Sequence, residues 1–237
     1  MFSDVLQQQV MKQMGFGSLY DVADVVTYKP EKSWNYEVGA HLSTPSHKVQ
    51  ADLALFYIDC RDQQLTVFPE GQVTGRLMTN AGRTRSFGGE ASLLATLWRN
   101  LDLQVAYGYT RATFVKFDTG KADYAGNFIP YAPQHTLYAG ASYTLRTGWN
   151  CLEYVIFRVA ANGAGRIYWN EANTFSQPFY ALLEASIRFE HRHWAVDVWG
   201  RNLTDTRYDT FYFMSIGNSF LQRGRPRTFG VSLSITL

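Results

Sequence analysis

The residues best suited to hold a large ligand are aromatic and basic side chains in the long stretches between strand-like segments. Aromatic rings stack on planar or apolar ligand groups, and a guanidinium group attracts anionic ones. Loops that a rigid scaffold holds in place commonly carry binding residues. The candidates are Tyr168 and Trp169 in one such stretch, and Tyr208, Tyr212 and Arg223 in another. We expect these five side chains to contact a ligand.

The histidines and cysteines give weaker signals. His191 and His193 share a short predicted turn without a cysteine or third ligand nearby, which indicates a solvated turn rather than a metal site. His135 lies near a predicted strand end, but no catalytic partner set accompanies it. Cys60 and Cys151 are predicted at opposite strand ends, so we expect no disulfide. We therefore expect no catalytic residue, no metal site and no cofactor.

Composition excludes several classes of protein. The chain has 237 residues and a formal net charge of +2, which is too small and too dispersed to favour nucleic-acid binding. Aromatic residues make up 16% of it, an enrichment that favours strands. No apolar run approaches the roughly 18 residues of a membrane helix, although membrane strands hide their hydrophobicity in alternation. The first 20 residues do not resemble a signal peptide, so we expect a mature segment or a fragment.

Nine segments of alternating polarity could position the candidate loops. In eight of them, every second side chain is uncharged and mostly apolar, which is typical of an antiparallel strand with one apolar face. The phase of residues 151–162 is ambiguous, because either set of alternate residues could form the apolar face. The predicted strands are residues 34–43, 49–58, 86–97, 101–110, 136–145, 151–162, 179–189, 194–201 and 228–237.

The connections between these strands alternate in length. The short ones are residues 44–47, 98–100, 146–150 and 191–193, and the long ones are residues 61–76, 116–134, 164–177 and 204–223. Short turns on one side and long loops on the other are typical of outer-membrane β-barrels, in which the turns are periplasmic and the loops extracellular. We therefore expect an all-β, antiparallel, membrane-spanning wall.

Aromatic residues of the apolar faces fit the same orientation. Trp34 and Phe229 belong to a predicted ring at the outer strand ends, and Tyr143 and Trp194 to a second ring at the periplasmic ends. Aromatic rings prefer the headgroup level, and aliphatic residues fill the middles of the strands. A soluble β-sandwich would also show alternation. Strand length, loop asymmetry and the two rings together favour the barrel.

Five segments resemble, in the same order, motifs of the TonB-dependent outer-membrane receptors. They are YKPEKSWNYEVG at residues 28–39, NAGRTRSFGGE at 80–90, IPYAPQH at 129–135, RNLTDTRY at 201–208 and GRPRTFGV at 224–231. The resemblance implies about nine C-terminal strands of a barrel that in this family has about 22. For this chain alone it implies an open, partial barrel. Residues 1–32 would be an extracellular loop or the remnant of an incoming strand, and residues 33–237 the barrel strands.

The resemblance also implies transport rather than catalysis. Family members take up a scarce ligand (a ferric siderophore, haem, cobalamin or a glycan) with energy that TonB delivers to a plug domain. No plug motif is present in the sequence. The implied partners are TonB through the missing plug region, the lipid bilayer of the bacterial outer membrane, and a small-molecule or metal-chelate ligand.

Two other functions remain open on sequence grounds. An outer-membrane barrel hydrolase would need a catalytic constellation around a residue such as His135. A self-contained structural or adhesin barrel would need a closed sheet with an even number of strands.

Overall fold

The structure is a computed structural model that describes residues 29–46, 48–67, 77–119, 122–215 and 218–236. Within these ranges there is no helix that could cross a membrane, and every regular element is a β-strand. The strands are β1 (Lys32–Ser43), β2 (Val49–Val67), β3 (Leu77–Trp98), β4 (Leu101–Lys116), β5 (His135–Trp149), β6 (Leu152–Gly165), β7 (Ile167–Tyr168), β8 (Ser176–Gln177), β9 (Tyr180–His191), β10 (Trp194–Arg201), β11 (Asp209–Ser215), β12 (Asn218–Arg223) and β13 (Thr228–Ile235).

Nine of these strands form one antiparallel sheet in the order β1-β2-β3-β4-β5-β6-β9-β10-β13. This confirms the all-β class and the nine predicted strands. The sheet is not closed, because in the described ranges β1 pairs only with β2 and β13 only with β10. The ambiguous phase of β6 is settled by its register, which places Phe157 opposite Tyr143 and Ile187 on the apolar face.

The two faces of the sheet differ as the alternation predicts. The apolar face is unusually exposed, with Trp34 and Val231 each at 68% and Leu53 at 51% relative accessibility. A continuous apolar surface of this kind marks contact with an apolar environment such as lipid. The opposite face is polar and carries hydrogen-bonded side chains such as those of His41 and Asp52. One face of the strands is therefore suited to lipid and the other to a polar environment.

Several strands are longer than predicted. The prediction of a loop over residues 61–76 is wrong at its start, because β2 continues to Val67 and β3 begins at Leu77. Likewise β4 runs to Lys116 and β5 to Trp149. The backbone ladder continues past the apolar band into segments where the alternation of polar and apolar residues is interrupted and no longer marks a strand.

The long connections contain structure of their own. The connection from β6 to β9 includes the β7–β8 ladder, and the one from β10 to β13 includes the β11–β12 hairpin. At the end of β4, the side chains of Ala112 and Phe114 form a small buried cluster with Phe117 and Ile129 of the following connection. The long loops therefore pack into a layer with an apolar core.

The predicted first segment, residues 1–32, lies largely outside the described residues. Residues 29–31 are described as irregular chain, and β1 begins at Lys32, one residue before the predicted boundary. Leu237, the predicted last residue of the final strand, also lies outside the described ranges.

Candidate functional site

A depression crosses the polar face of the sheet between β3 and β13, which makes this face concave. Its lining includes five charged residues, Asp102, Arg158, Glu184, Asp197 and Arg201. One carboxylate oxygen of Asp197 is buried and receives no hydrogen bond from the described part of the chain. Buried carboxylate oxygens are normally hydrogen-bonded. A donor from water or from another segment would therefore stabilise this wall.

A second polar depression lies on the same face between β1 and β5. Here the Nδ1 atom of His41 lies 2.5 Å from a carboxylate oxygen of Asp52, and the Ser92 hydroxyl donates to the other oxygen at 3.0 Å. These three residues occupy adjacent strands in direct register. Side-chain hydrogen bonds therefore link three neighbouring strands across the polar face.

At the end of the sheet that carries the long connections, Tyr131 joins three loops. Its backbone N–H donates to the carbonyl of Tyr168 at 2.8 Å, and its hydroxyl donates to the carbonyl of Tyr212 at 2.9 Å. Its ring stacks on Phe211 with centroids 5.5 Å apart and tilts against Trp169 at the same distance. One side chain thus links the connections that follow β4, β6 and β10.

A second junction joins the first two of these loops. The Asn173 side chain accepts a hydrogen bond from the Phe128 backbone N–H at 2.6 Å and donates to the Phe128 carbonyl at 2.9 Å. The Asn127 side chain donates to the Glu171 carbonyl at 2.8 Å. Hydrogen bonds of this pattern imitate a strand pair and fix the two loops relative to each other.

Most of the predicted ligand-binding residues lie inside this loop layer. Trp169 and Tyr212 are buried, and Tyr212 stacks on a neighbouring phenylalanine. Tyr168 and Tyr208 are half-buried, each stacked on one aromatic ring. Arg223 is exposed at the end of β12. The structure groups Tyr168, Trp169 and Tyr212 around Tyr131, whereas Tyr208 and Arg223 lie near the entry to β13.

Sequence reasoning did not single out Tyr131 as a site residue. It is 40% exposed and adopts a φ of 63°, a left-handed conformation that is uncommon for a bulky residue. Strained backbone of this kind persists where surrounding contacts hold it and is often found at functional sites. The feature of the sequence that could have pointed to Tyr131 is its position between two prolines in the IPYAPQH motif.

The RNLTDTRY and GRPRTFGV motifs meet in space. Asn202 is buried at the end of β10, and its side chain makes three hydrogen bonds to backbone groups. Two join the N–H and carbonyl of Thr206, and the third reaches the carbonyl of Arg225 at 3.0 Å. The Asp205 carboxylate accepts a hydrogen bond from the Arg227 backbone at 3.0 Å. The two motifs therefore form one clasp that holds the last loop.

The first two motifs also meet. The Asn80 side chain accepts from the Lys29 backbone N–H at 2.9 Å and donates to the Lys29 carbonyl at 3.1 Å. A Glu31 carboxylate oxygen accepts from the backbone of Gln64 at 3.1 Å. These contacts fasten the segment that enters β1 to the extended ends of β2 and β3.

The remaining candidates fall into no chemical constellation in the described ranges. His135 begins β5, where its Nδ1 atom lies 2.7 Å from the Tyr107 hydroxyl. Cys60 is buried, Cys151 is exposed, and both are free. Among the residues described, no three histidine, cysteine or acidic side chains come together as a metal site.

Comparisons with known proteins match this architecture. A model of the TonB-dependent receptor-like β-barrel family matches residues 12–203. The pesticin receptor of Yersinia pestis is 28% identical over 218 residues, which cover 90% of this chain and 30% of that protein. The structure of the ferric yersiniabactin uptake receptor from Yersinia pestis superposes with a TM-score of 0.72 at 25% identity, covering 86% of this chain and 30% of that one.

A further structure, of a siderophore receptor from Acinetobacter baumannii, superposes with a TM-score of 0.67 at 18% identity and shows the same fold. It is covered over 29% of its length, and this chain over 89%. The chain thus spans about 30% of the length of the pesticin receptors that it matches. Its open antiparallel wall, its two-faced strands and the family match lead to one conclusion: the chain belongs to the TonB-dependent receptors of the bacterial outer membrane.

Proposed function

We propose that this chain forms part of the wall and outer loops of a receptor that takes up a ferric siderophore, with energy supplied by TonB through a plug domain. The observation that carries the proposal is the match to the receptor family. The concave, charged polar face of the sheet is consistent with the inner wall of such a barrel. A similar protein is named as a ferric yersiniabactin uptake receptor. That name favours a siderophore over haem, cobalamin or a glycan.

The open edges of the sheet support a larger barrel. Unpaired backbone N–H and carbonyl groups are costly in lipid, so membrane sheets close on themselves. Within the described ranges, β1 and β13 each lack a partner on one side. We propose that further strands pair with both edges, as in a family barrel of about 22 strands.

Uptake measurements test the proposed function. The complete gene product that contains this chain would be expressed in cells lacking their own siderophore receptors. Radioactive iron would be supplied as catecholate, hydroxamate or phenolate chelates, with haem and cobalamin in parallel. We expect accumulation of at least one iron chelate that disappears when TonB is deleted. TonB-independent accumulation, or uptake of haem or cobalamin alone, would contradict the proposal.

The proposed orientation places the long loops outside the cell, and it predicts the labelling of a native thiol. Cys151 is exposed in the turn between β5 and β6, so it should face the periplasm. A maleimide too bulky for the outer membrane should leave Cys151 unlabelled in intact cells and label it after the membrane is permeabilised. In a Cys151→Ser background, Ala125→Cys in the exposed loop after β4 should be labelled in intact cells. The opposite pattern would reverse the orientation.

The five predicted ligand contacts remain proposals. Because some of these residues are buried in the loop layer and Arg223 is exposed, we expect their substitutions to have different effects. Arg223 is exposed, so Arg223→Gln should weaken binding of an anionic chelate about tenfold while the loops stay folded. Trp169 is buried against Tyr131, so Trp169→Ala should weaken binding and also expose the loops to proteolysis. Chelate titrations of the two variants, with limited proteolysis in parallel, measure both effects. Arg223→Gln binding with unchanged affinity would remove Arg223 from the ligand site.

A further inference from the structure

The layer of long loops consists of two parts, and the first is held together by backbone hydrogen bonds. It comprises the connections that follow β4 and β6. The Tyr131 N–H donates to the Tyr168 carbonyl at 2.8 Å. The Gln134 N–H donates to the Arg166 carbonyl at 3.0 Å. These bonds continue the antiparallel pairing of β5 and β6 into the loops. We call this part the loop body, meaning the described residues within 117–134 and 166–179.

The second part is the β11–β12 hairpin, which forms a two-stranded sheet of its own. At its base, the Asp209 N–H donates to the side-chain oxygen of Gln177 at 2.8 Å. Further along, the Tyr212 ring stacks on Phe175 with centroids 4.6 Å apart. Both contacts with the loop body run through side chains. The hairpin can therefore move away from the loop body without any strand of the main sheet being unpaired.

Tyr131 is the residue of the loop body that holds the hairpin from its exposed side. Its hydroxyl donates to the Tyr212 carbonyl at 2.9 Å, and its ring stacks on Phe211 with centroids 5.5 Å apart and planes at 21°. The Tyr131 ring is also in contact with Trp169 of the loop body. Tyr131 and Phe211 are 40% and 37% exposed, so this contact lies at the surface of the layer. A single hydroxyl and a single ring thus join the two parts there.

The junction divides the predicted ligand residues into two groups. Tyr168 and Trp169 belong to the loop body, whereas Tyr212 and Arg223 belong to the hairpin. The distance between the two groups depends on how the hairpin is docked. A ligand that contacts both groups binds in proportion to the fraction of molecules in which they are correctly placed.

We propose that Tyr131 is a positioning residue that docks the β11–β12 hairpin on the loop body and thereby sets the geometry of the ligand site. Its hydroxyl fixes the hairpin backbone at Tyr212, and its ring fixes the hairpin at Phe211. The effect on ligand binding rests on the proposed function, whereas the docking is a property of the receptor without ligand. Because coupling is reciprocal, a ligand that needs the docked hairpin also stabilises the docking.

Distances between two spin labels in the complete receptor test the docking. One label is attached to the loop body at Ala172→Cys and the other to the hairpin at Gln222→Cys, both exposed positions, in a Cys151→Ser background. We expect one narrow distance in this parent protein. Tyr131→Phe, which loses only the hydroxyl, should broaden the distribution. Tyr131→Gly should broaden it further, because glycine accepts the φ of 63° and lacks the ring.

Two controls show whether the broadening is specific. Tyr107→Phe removes a hydroxyl that lies 2.7 Å from the Nδ1 atom of His135 in the wall, and it should leave the distance narrow. Labels at Ala125→Cys and Ala172→Cys both lie on the loop body and should keep a narrow distance in Tyr131→Phe. A narrow hairpin distance in both Tyr131 variants, or equal broadening in Tyr107→Phe, would overturn the proposal.

Chelate binding per folded receptor separates positioning from stability. Ferric catecholate, hydroxamate and phenolate chelates are each titrated into the parent protein and the variants. We expect the chelate that binds the parent protein to bind Tyr131→Phe about fivefold more weakly and Tyr131→Gly more than about tenfold more weakly. Saturating chelate should narrow the label distance of Tyr131→Phe again.

Two results would contradict the role of Tyr131 in ligand binding. They are unchanged chelate affinity in Tyr131→Gly, and a label distance in Tyr131→Phe that stays broad with chelate bound. Failure of every chelate to bind the parent protein, with the docking distances as expected, would instead contradict the proposed function.

Discussion

Gly88→Ala is expected to prevent normal assembly of the sheet, with a loss of about 3 kcal/mol or more in folding free energy. A Cβ atom at residue 88 would lie 1.9 Å from the backbone carbonyl oxygen of Tyr109 and 2.7 Å from the Phe56 ring. The ring can rotate, but the carbonyl belongs to the neighbouring strand. Adding a methyl group therefore requires β3 and β4 to separate locally.

The next residue provides the control. A Cβ at Gly89 would meet the end of the Leu55 side chain at 2.8 Å, on the opposite, apolar face. That side chain is 52% exposed and can move. Gly89→Ala should therefore fold at near wild-type levels. The temperature at which the folded form is lost on electrophoresis, and the amount of protein in the outer membrane, measure the difference. Similar behaviour of the two variants would show that β3 and β4 are further apart than described.

Asn202→Ala is expected to release the last long loop and to cost about 3 kcal/mol. The substitution removes three hydrogen bonds of a buried side chain and leaves backbone groups of Thr206 and Arg225 without that partner. Asn202 also has a φ of 49°, a conformation that asparagine adopts more readily than alanine. Both effects act in the same direction.

Asn202→Asp distinguishes the contributions, because it keeps the oxygen that accepts from Thr206 N–H but loses both donated hydrogen bonds. Because its second oxygen faces the carbonyls of Thr206 and Arg225, its stability should be no higher than that of Asn202→Ala. Limited proteolysis between β10 and β13, together with thermal unfolding, gives the order of the three proteins. Unchanged proteolysis of Asn202→Ala would mean that the clasp does not hold the loop.

The tertiary structure gives physical reasons for motifs that the sequence showed only as a resemblance. RNLTDTRY and GRPRTFGV form one clasp around Asn202, and Gly224 leaves no room for a Cβ beside the Tyr208 ring. NAGRTRSFGGE supplies Asn80, which fastens the entry to β1. Each of these motifs therefore makes its hydrogen bonds to another motif. A single motif in a sequence does not show which distant segment it contacts.

The ligand candidates show where residue type alone was insufficient. Tyrosine and tryptophan in a loop serve equally well to bind a ligand or to pack against another loop. Trp169 and Tyr212 are buried in the loop layer, whereas Arg223 is exposed. Tyr131 links the loops through a contact with Tyr212, 81 positions away, which no local pattern records.

By itself, the sequence determined the nine strands and the alternating faces of eight of them. It could do so because one face of each strand contacts an apolar environment and the other a polar one, so that every second residue is apolar. The open wall was implied by the family resemblance. Only the tertiary structure decided the extended ends of β2 and β3, the phase of β6 and the packing of the loop layer. At the strand ends the alternation of polar and apolar residues is interrupted, and contacts between the loops join residues far apart in sequence, so local periodicity carries no information about them.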